Sequence, residues 1–214
     1  MSGPSAPNKL QRVADKQLTE EIDEVEVDET REREPLDPER AARRRAALAR
    51  VVQFGDPVLR SKAAPVDHFD EALAAEAARM GELMDEAIGV GLAANQIGAL
   101  HRLLVYRVEE EGEIHAVVNP TIEWTSDERE PGMEGCLSLP GVWVEVERPA
   151  GVRVRAQDLT GAEIEIEAEG FHARVLQHEI DHLEGTLILD RISRADRREA
   201  MRTMREARED GDRD

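Results

Sequence analysis

Near its C-terminal end the chain reads Gln177-His178-Glu179-Ile180-Asp181-His182, and this stretch constrains the fold more than any other. Residues four apart on an α-helix stand one turn above the other on one face. If the segment is helical, His178 and His182 present two imidazole nitrogens to one metal ion. Glu179, rotated round the helix, then reaches a water on that ion as a general base. A helix with two hydrogen-bonded histidines satisfies the same five residues. A fold that uses the motif must bring a third ligand to this helix, because a catalytic divalent site has three protein ligands and one open position.

The length of 214 residues suits one domain plus tails. Net charge is −19, from 47 acidic and 28 basic side chains. That argues against a general nucleic-acid binder, whose phosphate contacts need a basic surface, and against an anionic membrane surface. No apolar run approaches a membrane span or a signal-peptide core, and the first thirty-five residues are too acidic for an organellar transit peptide. A cytoplasmic protein with no DNA and no membrane partner is expected. The single cysteine, Cys136, excludes an internal disulfide. In a chain with several histidines it is a candidate ligand or nucleophile, or else an inert buried hydrophobe.

Three segments are expected: an acidic extension over 1–45, a catalytic domain over 46–192, and a C-terminal helix and tail over 193–214. Residues 1–35 lack aromatic residues, and Glu20 to Glu29 carries seven carboxylates and no base. Such a stretch buries too little apolar surface to offset ordering and is expected to be disordered, with a docking tail as the sharper alternative. Asp37-Pro38 signals a helix start, and the helix runs to about Arg50. Val51 to Leu59 reads as a short strand and turn. Asp70 caps a helix through about Glu86, with Leu73, Ala77, Met80, Met84 and Ile88 as its apolar stripe. Gly89 and Gly91 end it by permitting backbone angles a helix does not use.

Arg102–Val108 and Ile114–Val118 read as a hairpin, and Thr121–Thr125 as a further strand. Val142, Val144 and Val146 alternate with Trp143, Glu145 and Glu147, and Val152, Val154 and Ala156 with Arg153, Arg155 and Gln157. Ile164, Ile166 and Ala168 alternate with glutamates. These are strands with one buried face, and the opposed Arg and Glu faces predict cross-strand charge pairs. Asp158 to Gly161 is the turn between the last two. Phe171 to Leu183 is the motif helix, stopped near Gly185, and Ser193 to Asp196 opens a final helix as a capping box. With no βαβ alternation the class is α+β: antiparallel sheets packed around a central helix carrying the motif, plus a C-terminal helix.

The third ligand has two sources. No histidine follows His182, so a zinc endopeptidase would have to use Glu199, Glu206 or Glu209, on a charged helix that looks solvated. Upstream stands Cys136, whose thiolate suits zinc or ferrous iron.

Here a resemblance becomes specific. Gly89-Val90-Gly91-Leu92-Ala93-Ala94-Asn95-Gln96, Glu134-Gly135-Cys136-Leu137-Ser138 and His178-Glu179-Ile180-Asp181-His182 resemble, in order and spacing, the three signature motifs of the peptide deformylases. Phe54 to Arg60 is also similar to that family's N-terminus, and the likeness covers roughly residues 50–190. It implies removal of the formyl group from N-formylmethionyl nascent peptides, with release of formate. It implies Cys136, His178 and His182 as ligands of one divalent metal ion, Fe2+ in the cell with Zn2+ as the alternative. It makes Glu179 the proton carrier, and the Gln96 side-chain amide and Leu137 N–H the donors to the formyl oxygen. The peptide would lie as an added strand between Val90-Gly91 and Gly135, its methionine in an apolar pocket with Val90, Phe171 and Val175. Arg148 and Asp181 would steady the metal helix as a pair. The arginines 194, 197, 198, 202 and 205 on the last helix would suit ribosomal RNA, as that segment does in related enzymes. A deformylase-like fold kept as a binding module would most easily show as a missing ligand or a missing Glu179, and none is missing.

Overall fold

The structure, a computed structural model, describes residues 36–109 and 112–211, with the side chains of the last helix described through Glu206. The disorder expected for residues 1–35, the acidic docking tail and the tip of the loop at Glu110 and Glu111 lie outside the described residues. From Asp37 onward the chain forms one compact unit.

Helix α1 spans Pro38–Leu48, and its Asp37 cap accepts from the Glu39 and Arg40 amides at 3.1 and 2.9 Å. Helix α2 spans Glu71–Glu86, capped by Asp70 on Leu73 N at 3.0 Å. Its stripe of Leu73, Ala77, Met80 and Met84 is buried as expected. Ile88 is not part of that stripe: it lies past the helix end and is 38% exposed.

The helix stop also differs from expectation. Ile88, at φ 59, takes the left-handed turn, and neither Gly89 nor Gly91 has positive φ. Those glycines are there for space. A Cβ on Gly89 would stand 2.9 Å from Leu137 Cδ1, and one on Gly91 2.2 Å from Glu179 Oε1. Side-chain closeness set by the fold, rather than local backbone freedom, accounts for both.

Val51 to Leu59 forms no strand. An extended run lets Val52 N donate to Gln96 O and Phe54 N to Ser138 O, at 2.7 and 2.9 Å, before a 3-10 helix over Pro57–Arg60. Asp56 and Pro57 favour a helical start at the point where a ladder would have to continue.

The strands are β1 Gly91–Ala93, β2 Leu103–Tyr106, β3 His115–Thr125, β4 Arg129–Cys136, β5 Leu139–Pro149, β6 Gly151–Gln157 and β7 Glu163–Glu169. A five-stranded sheet has the order β1-β2-β3-β6-β7, and β4 pairs with β5 in a second sheet; every neighbouring pair is antiparallel. The expected separate strand at Thr121–Thr125 is the far end of β3. Its register shifts after Val118, where Asn119 (φ 52) bulges out and donates to Val66 O and Gln157 Oε1, each at 2.7 Å. Strand β4 carries no clean alternation, and Pro131, Gly132 and Gly135 hide it in the sequence; proline is tolerated because this strand has a partner on one side alone.

Arg153 bonds its cross-strand partner Glu167 at 2.8 Å, while Arg155 turns instead to Glu123 of β3 at 2.5 Å. Asp158 caps its own turn on Thr160 and Ala162, and Gly161 (φ 86) supplies the left-handed residue. Helix α3, Gly170–Leu183, follows β7 directly and packs Leu176, Ile180 and Leu183 into a core shared with β2, β6 and β7. Gly185, at φ 72, ends its last turn against the Arg60 backbone. Helix α4, Arg194–Gly211, begins at Ser193, whose hydroxyl accepts from the Ala195 and Asp196 amides. Its Ala200 and Met204 are buried with Val142, Val144 and Val146 of β5.

Candidate metal centre

The motif segment is helical, so His178 and His182 share one face of α3. The third donor arrives from the other sheet. Strand β4 slips register between Gly135 and Cys136, and this bulge aims Cys136 at the helix. One donor atom each from Cys136, His178 and His182 lies within 4.8 Å of the others, with Cys136 Sγ 3.2 Å from His182 Nε2. Among the described residues this is the one group of three or more such side chains placed to hold a metal ion. Of the downstream alternatives, Glu199 and Glu206 are exposed on α4, and the Glu209 side chain lies outside the described residues.

The surroundings are those of a cation site. Glu134 stands behind His178, with Oε2 3.0 Å from Nδ1. A carboxylate there holds the Nδ1 proton and frees Nε2 for a metal. Burial alone would raise the Glu134 carboxyl, but bonds from Arg148 and His178 outweigh it and hold it at about 2. Burial also opposes a charge on His178, yet Cys136 and Glu134 raise its pKa well above the ordinary value, while burial and the neighbouring His178 and Arg148 push His182 well below its own. Glu179 Oε2 and His182 Nδ1 are buried with no hydrogen-bond partner among the described residues. Soft thiolate and imidazole donors beside an unsatisfied carboxylate oxygen fit a divalent ion with a water. Burial pushes the Glu179 carboxyl up to about 7.

Gln96 lies in a 3-10 helix over Ala94–Ile97 and is buried. Its Oε1 accepts from Ala93 N at 2.9 Å, while its Nε2 donates to Ser138 Oγ at 3.2 Å and lies 3.7 Å from Cys136 Sγ. Asn95, fully buried, donates to the His182 carbonyl. Val90 and Phe171 are 44% and 49% exposed, whereas Val175 is in the core. Gly91 lies against Glu179, and Gly135 lies flat against Trp143.

Arg148 does pair with Asp181, Nη1 to Oδ2 at 2.9 Å, and it also clamps both oxygens of Glu134 at 2.6 and 2.9 Å. Arg191 bonds both oxygens of Asp181, sharing Oδ2 with Arg148, and Arg174 reaches Glu134 Oε1 at 2.9 Å. Glu134, Arg174 and Arg191 carry no role in the sequence reading. A spacing signal existed for Arg174 alone, which stands one helical turn before His178.

A cysteine, two histidines and a buried carboxylate converging from a hairpin and a helix define a metal-dependent hydrolase. The polypeptide deformylase family model matches residues 48–198. A peptide deformylase of Thermotoga neapolitana is 52% identical over 150 residues, 70% of this chain and 90% of that protein. One from Brucella suis is 47% identical over 69% of this chain and 86% of its own length. The crystal structure of peptide deformylase from Thermotoga maritima superposes with a TM-score of 0.65 at 49% identity, covering 67% of this chain and 97% of that one. A Legionella pneumophila peptide deformylase gives 0.73 at 39% identity, covering 77% and 97%. The chain belongs to the peptide deformylase family. It is a hydrolase that removes the N-formyl group from the initiator methionine of nascent polypeptides and releases formate.

Proposed function

We propose that Cys136, His178 and His182 hold the metal ion of this deformylase and that Glu179 moves the protons. The observation that carries the assignment is the clustering of the three donor atoms within 4.8 Å beside a buried, unsatisfied Glu179 oxygen. A divalent ion there supplies Lewis acidity, lowering the pKa of a coordinated water towards neutral. Glu179 accepts the proton of the attacking water and delivers it to the leaving amine. Its elevated pKa, from burial, keeps it able to do both near pH 7, and the charge of a bound cation draws it down again. Ferrous iron is the ion in the cell, with zinc able to replace it in the same donor set.

As negative charge grows on the formyl oxygen, the Gln96 amide and the Leu137 N–H donate to it. Ala93 and Ser138 already fix the Gln96 amide plane, so little reorganisation is needed. One such donor is typically worth about 3–4 kcal/mol of barrier. Strands β1 and β4 each have a partner on one side. An extended peptide can add to those edges at Val90-Gly91 and Gly135 through backbone bonds, which tolerate varied sequence. Val90, Phe171 and Val175 receive the methionine side chain. No helix of the described residues is long and apolar enough to cross a membrane, and we place the enzyme in the cytoplasm. There the arginine face of α4, with Arg194, Arg197, Arg198, Arg202 and Arg205, meets the ribosome.

The test is formate release from formyl-Met-Ala-Ser by protein loaded with ferrous iron or zinc, with the unformylated peptide as control. Glu179→Gln should retain metal and lose roughly 10²–10⁴-fold in turnover. A fast Glu179→Gln enzyme would end the proton-transfer assignment.

A further inference from the structure

The two halves of the metal centre come from different parts of the fold: the histidines from α3, the cysteine from the β4–β5 hairpin. We propose that Arg174 is a positioning residue that locks the hairpin to the helix and so sets the distance between Cys136 and the two histidines. The inference rests on the assignment of Cys136, His178 and His182 as ligands.

Arg174, His178 and His182 are spaced by four and share one stripe of α3. The Arg174 guanidinium leaves the helix towards the hairpin and is mostly buried there. Nη1 donates to Val146 O of β5 at 2.8 Å and to Glu134 Oε1 of β4 at 2.9 Å, with Gly132 O at 3.4 Å; Nη2 donates to Glu130 O at 2.8 Å. One planar cation therefore ties three carbonyls on both strands of the hairpin to the helix that carries the histidines. Lysine, a single point donor, has no equivalent of this fork.

Gly132 makes the arrangement fit. A Cβ there would stand 2.7 Å from Arg174 Cζ. Gly132 has no positive φ, so its backbone does not require glycine; a side chain there would push the guanidinium aside.

Arg174 and His178 take opposite oxygens of one carboxylate. Glu134 Oε1 accepts from Arg174 and Arg148, and Oε2 from Arg148 and His178. Arg174 thus fixes the orientation of the carboxylate that fixes His178, as well as the strand that ends in Cys136. Residues holding a ligand in this way typically change metal affinity by about 10–100-fold when removed.

Cobalt(II) is the probe, because a thiolate bound to it gives a charge-transfer band that reports the Cys136–metal bond directly. Arg174→Met, Arg174→Lys and Gly132→Ala are titrated with cobalt against a competing chelator, with circular dichroism and thermal melting as checks of the fold. Gly132→Ala keeps the charge and displaces the guanidinium, so it decides the matter if Arg174→Met does not fold. Weaker cobalt binding by about 10–100-fold, a diminished or shifted thiolate band in Arg174→Met and Gly132→Ala, and partial recovery in Arg174→Lys are the expected results. Native affinity and a native band in a folded Arg174→Met, or in Gly132→Ala if that is the variant that folds, overturn the role of Arg174. A wild-type protein that binds cobalt without the thiolate band overturns the ligand assignment itself, and the inference with it.

Discussion

Gly91 and Glu179 occupy the same space: a Cβ on Gly91 would lie 2.2 Å from Glu179 Oε1 and 2.7 Å from its Cδ. The buried carboxylate is given its room by the absence of a side chain on β1, so the position of the proposed proton carrier depends on a strand far from it in sequence. Gly91→Ala should move Glu179 without touching a metal ligand. Turnover should fall by about 10²-fold or more while metal content stays native, since general acid–base catalysis is worth about 10²–10⁴-fold. Steady-state formate release paired with metal analysis checks this; native turnover would mean that Glu179 tolerates displacement.

Cys136 is the donor that distinguishes this site from a helix with two histidines. Cys136→Ala should leave two imidazoles at the centre and reduce bound metal well below one ion per chain after dialysis. In the wild type, removal of the ion by a chelator should abolish formate release, and ferrous iron or zinc should restore it. Full metal retention by Cys136→Ala would remove the thiolate from the ligand set.

Arg148 is 4% exposed and bridges Glu134 to Asp181. Replacing it with Met leaves two buried carboxylates facing an apolar side chain. Stranding a buried charge outright typically costs about 3–5 kcal/mol; Arg174 still reaches Glu134 and Arg191 still bonds Asp181, so Arg148→Met should lose stability by less than that in urea unfolding of the metal-free protein. Glu134→Gln added to Arg148→Met should recover part of the loss, because a neutral amide costs less to bury than a carboxylate that has lost one of its cations.

Glu184 provides a test in pH. Burial acts to raise its pKa, but bonds from Lys62 and Arg102 outweigh that and lower it below the ordinary value. A depressed folded-state pKa means that the unfolded chain binds the proton first. The stabilisation is therefore complete above the ordinary glutamate pKa, about 4.3, and is lost as pH falls through the lower folded value. Arg102→Met should lower stability at pH 7 and flatten its fall between neutral and acid pH. Parallel slopes for the two proteins in denaturant titrations from pH 7 to pH 3 would show that this ion pair contributes nothing to acid unfolding.

Much was legible in the chain because it depends on local periodicity. Asp37-Pro38 and Asp70 mark their helices, Val142, Val144 and Val146 mark β5, and the spacing of His178 and His182 needs only a helix to bring two nitrogens together. The three motifs also carried the family, because each preserves its own short pattern. The surroundings of those motifs were not legible. Ile88 takes the left-handed turn, and the nearby Gly89 and Gly91 are needed instead because Leu137 and Glu179 fill the space where a Cβ would stand. Strand β4 has no periodic signal, and its bulge at Cys136 exists through pairing with β5. Of the charges around the site the Arg148–Asp181 pair was expected, whereas Glu134, Arg174 and Arg191 look like ordinary surface charges in a chain with this many acids and bases. Only folding buries Glu134 and Arg148, seats His178 and Arg174 on Glu134 and brings Arg191 to Asp181. Chain-local geometry could supply the two histidines and their glutamate. The cysteine's approach, the glycine that seats the glutamate and the arginines that hold the carboxylates come from contacts across the fold, which no single stretch of sequence contains.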